Sequence, residues 1–243
     1  MHRVDRLSFK LALEESVAMT KWGWGLTLGL LPALLPALAG AASLQLQVLD
    51  RDGRPVEFAV LSLEGAGLAA QTTGPVELAQ VDKAFVPPVL AVRTGTAVNF
   101  PNRDRVRHHV YSFSPAKRFE LRLYSGTPAE PVLFDKPGLV VLGCNIHDWM
   151  VGYLYITDAP LFAVTDALGR VNFELPPGDY QLGLWHPSNP DLLPQARGEL
   201  AVGAAGLNQS LSLEWQVAPL VQRPPAPSAF GQAFEDALRE SPQ

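Results

Sequence analysis

The chain has 243 residues, 47% of them hydrophobic and 18% charged, with a formal net charge of −5. It is long and apolar enough for one large domain or two small ones, which excludes a disordered polymer. The acidic balance argues against a nucleic-acid partner, and one cysteine excludes an internal disulfide.

The first predicted element is a leader. Lys21 precedes an apolar run from Trp22 to Ala39, and Ala39-Gly40-Ala41 supplies small residues for a signal peptidase. Pro32 and Pro36 interrupt the run, which favours a cleaved signal peptide over residues 1–41 against a retained membrane anchor. Met19 directly precedes the basic residue and offers an alternative start. The mature chain is then periplasmic or secreted, without stable membrane insertion. A lone thiol in an oxidising compartment is a liability unless something occupies it, which points to a bound metal.

From Ser43 onward, short runs rich in Val, Leu, Phe and Tyr alternate with Gly, Pro, Asp and Asn. The segments SLQLQVLD, EFAVLSLEG, PVLAVRTGTAVNF, FELRLYS, LVVLGC, YLYIT, RVNFEL and YQLGLW read as strands. Turns are expected at 50–53, 93–95, 166–169 and 176–179, each with a glycine able to take positive φ. The fold class is therefore all-β, of the sandwich type. Residues 218–243 change character: a Pro-rich linker leads to Phe230, Phe234 and Leu238 at helical spacing, read either as a short amphipathic helix or as a frayed tail.

The segment GCNIHDWMVG places Cys144, His147 and Met150 on one loop. Thiolate and thioether are soft ligands and imidazole is intermediate, so the trio favours copper over magnesium or calcium. A trigonal copper site with a long axial methionine needs a second imidazole, which must come from another strand. RVRHHVYSFS supplies His108 and His109. Strand alternation groups His108 with Val106 and Val110, and His109 with Arg107 and Tyr111, which favours His108 as the inward ligand. Tyr111 and Phe113 are apolar on the supposedly outer face and weaken that division. Zinc could occupy one Cys and two His, but structural zinc sites usually offer four strong ligands.

At these residues the chain resembles the cupredoxins, the blue copper proteins such as plastocyanin and amicyanin. Phe85, Pro87, Gly95, Val98, Phe100, Asn102 and His108 match the family's segment leading to its first histidine. Cys144, His147 and Met150 match its closing loop, with the short spacing typical of amicyanin. The resemblance implies a Greek-key copper domain over 76–158, with His108, Cys144, His147 and Met150 holding one type I copper ion. Two positions depart from the pattern: His109 stands where the family usually has Asn, and Gly143 precedes the cysteine where a bulkier residue is usual.

The flanks resemble the carboxypeptidase regulatory-like domain, a small transthyretin-like sandwich. Val48, Asp50, Gly53, Pro55 and Val56 match its first half; Thr165, Asp166, Gly169, Pro176, Pro177, Gly178 and Tyr180 match its second. This implies a discontinuous second β-sandwich over 43–75 and 159–217 with the copper domain inserted, the alternative being two consecutive domains. His186 ends a strand of that module and is expected to be structural.

The resemblance implies one-electron transfer between unidentified donor and acceptor redox proteins, with His147 as the electron port; Trp149 beside it reads either as extending an apolar docking patch or as ordinary packing. Val140, Val141, Leu142 and Ile146 are expected to form an apolar shell. Arg103, Arg105, Arg107, Lys117, Arg118 and Arg122 form a basic stretch, read either as steering an acidic partner or as a solvated face. Oxidase or nitrite reductase chemistry would need further histidines, and the chain beyond the leader has only His108, His109, His147 and His186. The expected function is therefore not enzymatic. The competing readings are copper sensing, storage or delivery, and an adhesion-like module with a vestigial site.

Overall fold

The computed structural model describes residues 40–71, 74–189 and 191–226, with positions 228, 229, 232, 233 and 239 beyond them. The expected leader lies outside the described residues up to position 39, as do Phe230, Phe234 and Leu238 of the expected C-terminal helix. Among the described residues, no helix is long and apolar enough to cross a membrane.

Alternation writes the first sheet directly. In β1 (Ala42–Leu49), Ala42, Leu44, Leu46 and Val48 are buried, while the residues between them are half-buried or exposed. β2 spans Val60–Glu64. Ten strands follow: β3 (Val76–Glu77), β4 (Ala79–Val81), β5 (Ala84–Val86), β6 (Val89–Arg93), β7 (Thr96–Asn99), β8 (His108–Ser112), β9 (Phe119–Tyr124), β10 (Val132–Phe134), β11 (Gly138–Cys144) and β12 (Val151–Thr157). The chain then returns through β13 (Leu161–Val164), β14 (Arg170–Leu175), β15 (Gly178–Trp185), β16 (Gln195–Val202) and β17 (Leu207–Ser212).

The first two strands find their partners late in the chain. β1 lies between β14, antiparallel with Leu44 opposite Phe173, and β17, parallel with Leu44 beside Leu207. β2 lies between β13 and β15, with Leu63 opposite both Leu161 and Leu182. The inner faces of these sheets enclose a core that includes Leu44, Leu46, Leu61, Leu63, Phe173 and Leu184. Thr165 fastens the two halves: its hydroxyl donates to Val56 O at 2.7 Å and accepts the Ala59 N–H at 2.8 Å.

The intervening strands form a five-stranded sheet, β6-β12-β11-β8-β9, facing a smaller sheet, β10-β7-β3, with β4 and β5 paired as a hairpin beside them. Phe85, Phe100, Val110, Phe134, Val140, Leu142 and Leu154 fill the space between. A third cluster joins the two sandwiches, in which Trp185, fully buried, stacks on Tyr155 at 5.5 Å and meets Tyr153 at 5.9 Å.

Three of the expected turn glycines take positive φ: Gly53 (77°), Gly95 (89°) and Gly169 (70°). Gly178 does not; it is the first residue of β15.

Candidate metal centre

Three donors converge at one end of the five-stranded sheet. His108 opens β8 and Cys144 closes β11; the two strands pair antiparallel with Cys144 opposite Val110. The alternation expected from the sequence holds within β8, where His108, Val110 and Ser112 are buried and His109 and Tyr111 are half-buried, but Val106, expected on the inward face, precedes the strand and is 41% exposed. The loop after Cys144 is turned tightly by the Met150 N–H donating to His147 O at 3.0 Å, and the Asn145 N–H anchors its start on His109 O at 3.1 Å. This turn swings His147 back toward the thiol.

The Cys144 Sγ stands 3.7 Å from His108 Nδ1 and 3.7 Å from His147 Nδ1. All three ligand atoms lie within 4.8 Å of one another. Two donors bound to one ion at about 2.0–2.3 Å and splayed at trigonal angles stand roughly 3.7 Å apart, so the donor set fits a single soft or borderline ion. His108 is fully buried and Cys144 is 3% exposed, whereas His147 is half-buried at the rim. Met150 is buried in the same core cluster as Cys144, Leu142 and Val140.

The orientation of His108 is fixed from outside. Its Nε2 lies 2.7 Å from Asp104 Oδ2, so the ring donates its Nε2 proton to the carboxylate and turns the Nδ1 lone pair toward Cys144. Burial works against charge on Asp104, yet hydrogen bonds from the Lys83 N–H, the His108 ring and the Asp82 N–H hold its carboxyl below the usual range. Burial, followed by the neighbouring His108 and Lys83, lowers the pKa of His147, with Asp104 opposing. A lowered pKa keeps the imidazole neutral and able to ligate.

Sequence reasoning did not single out Asp104. Its position four residues before His108 was the available signal, but the intervening loop decides whether the carboxylate turns back. Asn102 makes it do so: its side-chain amide donates to Val106 O at 2.8 Å and Tyr124 O at 2.9 Å, and its carbonyl oxygen accepts the Asp104 N–H at 2.9 Å.

The departures at 109 and 143 have structural reasons. His109 points away from the donors and pairs with Glu120, Nε2 to Oε1, at 2.9 Å. Gly143 faces Tyr111 across the sheet, and the tyrosine ring occupies the space a side chain at 143 would need. The apolar shell needs correction: Val140 and Leu142 are fully buried, Val141 is half-buried, and Ile146 is 45% exposed because it sits on the outside of the ligand loop. His186 is buried, with Nδ1 2.7 Å from Ser188 Oγ and Nε2 donating to Glu57 O at 3.1 Å. Within the basic stretch, Arg103 pairs with Glu77 at 2.6 Å, Lys117 with Asp135 at 3.3 Å and Arg122 with Glu120 at 3.1 Å.

No protein-family model and no curated protein matches the chain. Among solved structures, it is similar to a purple cupredoxin from Nitrosopumilus maritimus, at 20% identity and a TM-score of 0.30, covering 34% of this chain and 99% of that one. It is similar to a reduced Cu(I) variant of amicyanin, at 17% identity and a TM-score of 0.31, covering 40% of this chain and 98% of that one. A Cu-containing nitrite reductase from Thermus scotoductus SA-01 matches at 24% identity and a TM-score of 0.33, over 47% of this chain and 28% of that one. With identities and TM-scores this low, the likenesses carry no weight beside the geometry of the donors.

Proposed function

We propose that the chain is a periplasmic type I copper protein that passes single electrons between redox partners, with His108, Cys144 and His147 as strong ligands and Met150 as the weak axial one. The observation that carries this reading is the thiol of Cys144 flanked by two imidazole nitrogens at 3.7 Å each, with Cys144 and His108 buried. A soft thiolate with two imidazoles suits copper. When bound, copper supplies a one-electron couple between Cu(I) and Cu(II).

The residues divide the remaining work. His108 is locked by Asp104 and shielded from solvent, while Leu142 and Val140 exclude water. His147 reaches the rim, where Trp149 stands beside it at a ring separation of 5.2 Å, a surface on which donor and acceptor proteins can dock. Electron transfer is favoured over catalysis because both other histidines in the described chain are engaged: His109 with Glu120, and His186 between Ser188 and Glu57 O.

The architecture that accompanies this reading is a copper domain over 76–158 set into a discontinuous sandwich of 43–75 and 159–217, supported by the pairing of β1 and β2 with β13 to β17. Limited proteolysis that released a stable fragment of about 76–217, with the first strands freely lost, would count against it.

Visible spectroscopy on addition of Cu(II) tests the function. An intense thiolate band that bleaches reversibly on reduction is expected. A colourless protein that takes up only Cu(I) points to copper sensing, storage or delivery, and failure to bind copper removes the proposal.

A further inference from the structure

Outside the three donors, a chain of contacts runs from one imidazole to the other. Asp104 bonds His108 through Oδ2, and the same carboxylate accepts the Asp82 N–H at 2.7 Å and the Lys83 N–H at 2.9 Å. Asp82 and Lys83 form the tip of the β4–β5 hairpin, and both hold positive φ, 53° and 59°. Side chains with a Cβ rarely adopt that region without outside support. Lys83 O in turn accepts the Trp149 indole N–H at 3.2 Å, and the Trp149 ring lies 5.2 Å from the ring of His147.

The base of the same hairpin is held by a residue far away in sequence. The Gln222 side chain accepts the Phe85 N–H and donates to Phe85 O, each at 2.9 Å, satisfying both backbone groups of that residue. A segment beyond the last strand thus braces the hairpin that touches both sides of the site.

We propose that the β4–β5 hairpin is a clasp that holds His108 and His147 in ligating position before metal arrives, with Asp104 as the positioning residue at its tip and Gln222 as the brace at its base. The proposal rests on the reading of His108, Cys144 and His147 as metal ligands. Its physical content is preorganisation: an imidazole already oriented forfeits less freedom on binding, and the carboxylate behind a ligating histidine governs affinity without touching the ion.

The test uses the full mature chain, first without metal and then with Zn(II) as a redox-silent probe. In the metal-free wild type, proton NMR should find a slowly exchanging His108 Nε2 proton. Asp104→Ala should abolish it, and Trp149→Phe, which keeps an aromatic ring but removes the indole donor, should speed its exchange. Zn(II) affinity should fall about 10- to 100-fold in Asp104→Ala and less in Asp104→Asn, which retains one accepting oxygen. Gln222→Ala should weaken Zn(II) binding several-fold, and less than additively when combined with Asp104→Ala, because both act through one hairpin. Trp149→Phe keeps the test alive if Asp104→Ala fails to fold. A His108 proton that exchanges freely in the wild type, or Zn(II) affinities that match the wild type in the Asp104 and Trp149 variants, overturns the clasp. A wild type that binds neither Zn(II) nor copper overturns the ligand reading instead, and the metal-free NMR then decides the clasp separately.

Discussion

The ring of Tyr111 occupies the place of a side chain at Gly143: a Cβ built on the glycine would fall 2.8 Å from Tyr111 Cζ and 2.9 Å from its hydroxyl. Gly143 directly precedes Cys144, so any side chain there pushes either Tyr111 or the strand that carries the thiol. Gly143→Ala should lower stability by about 1–3 kcal/mol, and Tyr111→Ala in the same chain should recover part of that loss. Urea unfolding of the two single variants and the double variant measures the coupling. Strict additivity would mean that the ring is not the obstacle.

Metal binding to the folded state alone stabilises it by mass action. At free copper of 100 times the dissociation constant the gain is about 2.7 kcal/mol. Cys144→Ser should abolish it, since a hydroxyl is a hard, weakly ligating group. Thermal denaturation with and without Cu(I) reads this directly.

Met150 is buried in the same core cluster as Cys144, and in the proposed site its thioether is the weak ligand. Met150→Leu should leave the thiolate band in place and raise the reduction potential, because removing a donor destabilises the more highly charged oxidised ion. Protein-film voltammetry checks the sign.

Thr165→Val keeps the shape of the side chain but strips the hydroxyl that serves Val56 O and the Ala59 N–H. Two buried backbone groups lose a partner, for a cost of about 1–3 kcal/mol. Chemical denaturation should find this loss without any change in the visible spectrum of the copper-loaded protein.

His186 gives the fold an acid-sensitive point away from the metal centre. Burial pushes its pKa down from 6.5 to about 4, only partly offset by its bond to the Glu57 carbonyl. The unfolded chain therefore binds this proton more readily than the folded one. Its contribution is whole above pH 6.5 and is lost progressively as pH falls toward about 4. The loss is on the order of 3 kcal/mol. Unfolding midpoints measured between pH 7 and pH 4 should fall less steeply in His186→Gln than in the wild type.

The legible parts of this chain were those governed by short-range pattern. RVNFEL coincides with β14, LVVLGC with β11 but for one residue, and strand parity together with the resemblance pointed to His108, which is buried, rather than His109. β16 and β17 escaped the strand reading because Gln195–Val202 and Leu207–Ser212 carry polar and small residues, held in place by β15 and β1 rather than by their own alternation. Asp104 and the Asp82–Lys83 turn were not legible for a related reason. Their roles depend on a loop and a hairpin meeting in space, and Ile146 faces outward through the turn of a loop that strand parity does not describe.

The placement of β1 sets a timetable. Leu44, Leu46 and Val48 are made well before their partners and wait for Phe173 and then Leu207 before they have neighbours on both sides. The segment between holds a core of its own, with buried members running from Leu78 to Ile156, none of which belongs to β1. Such distant pairing is slow, and until it closes the unpaired strand is open to meeting another molecule instead.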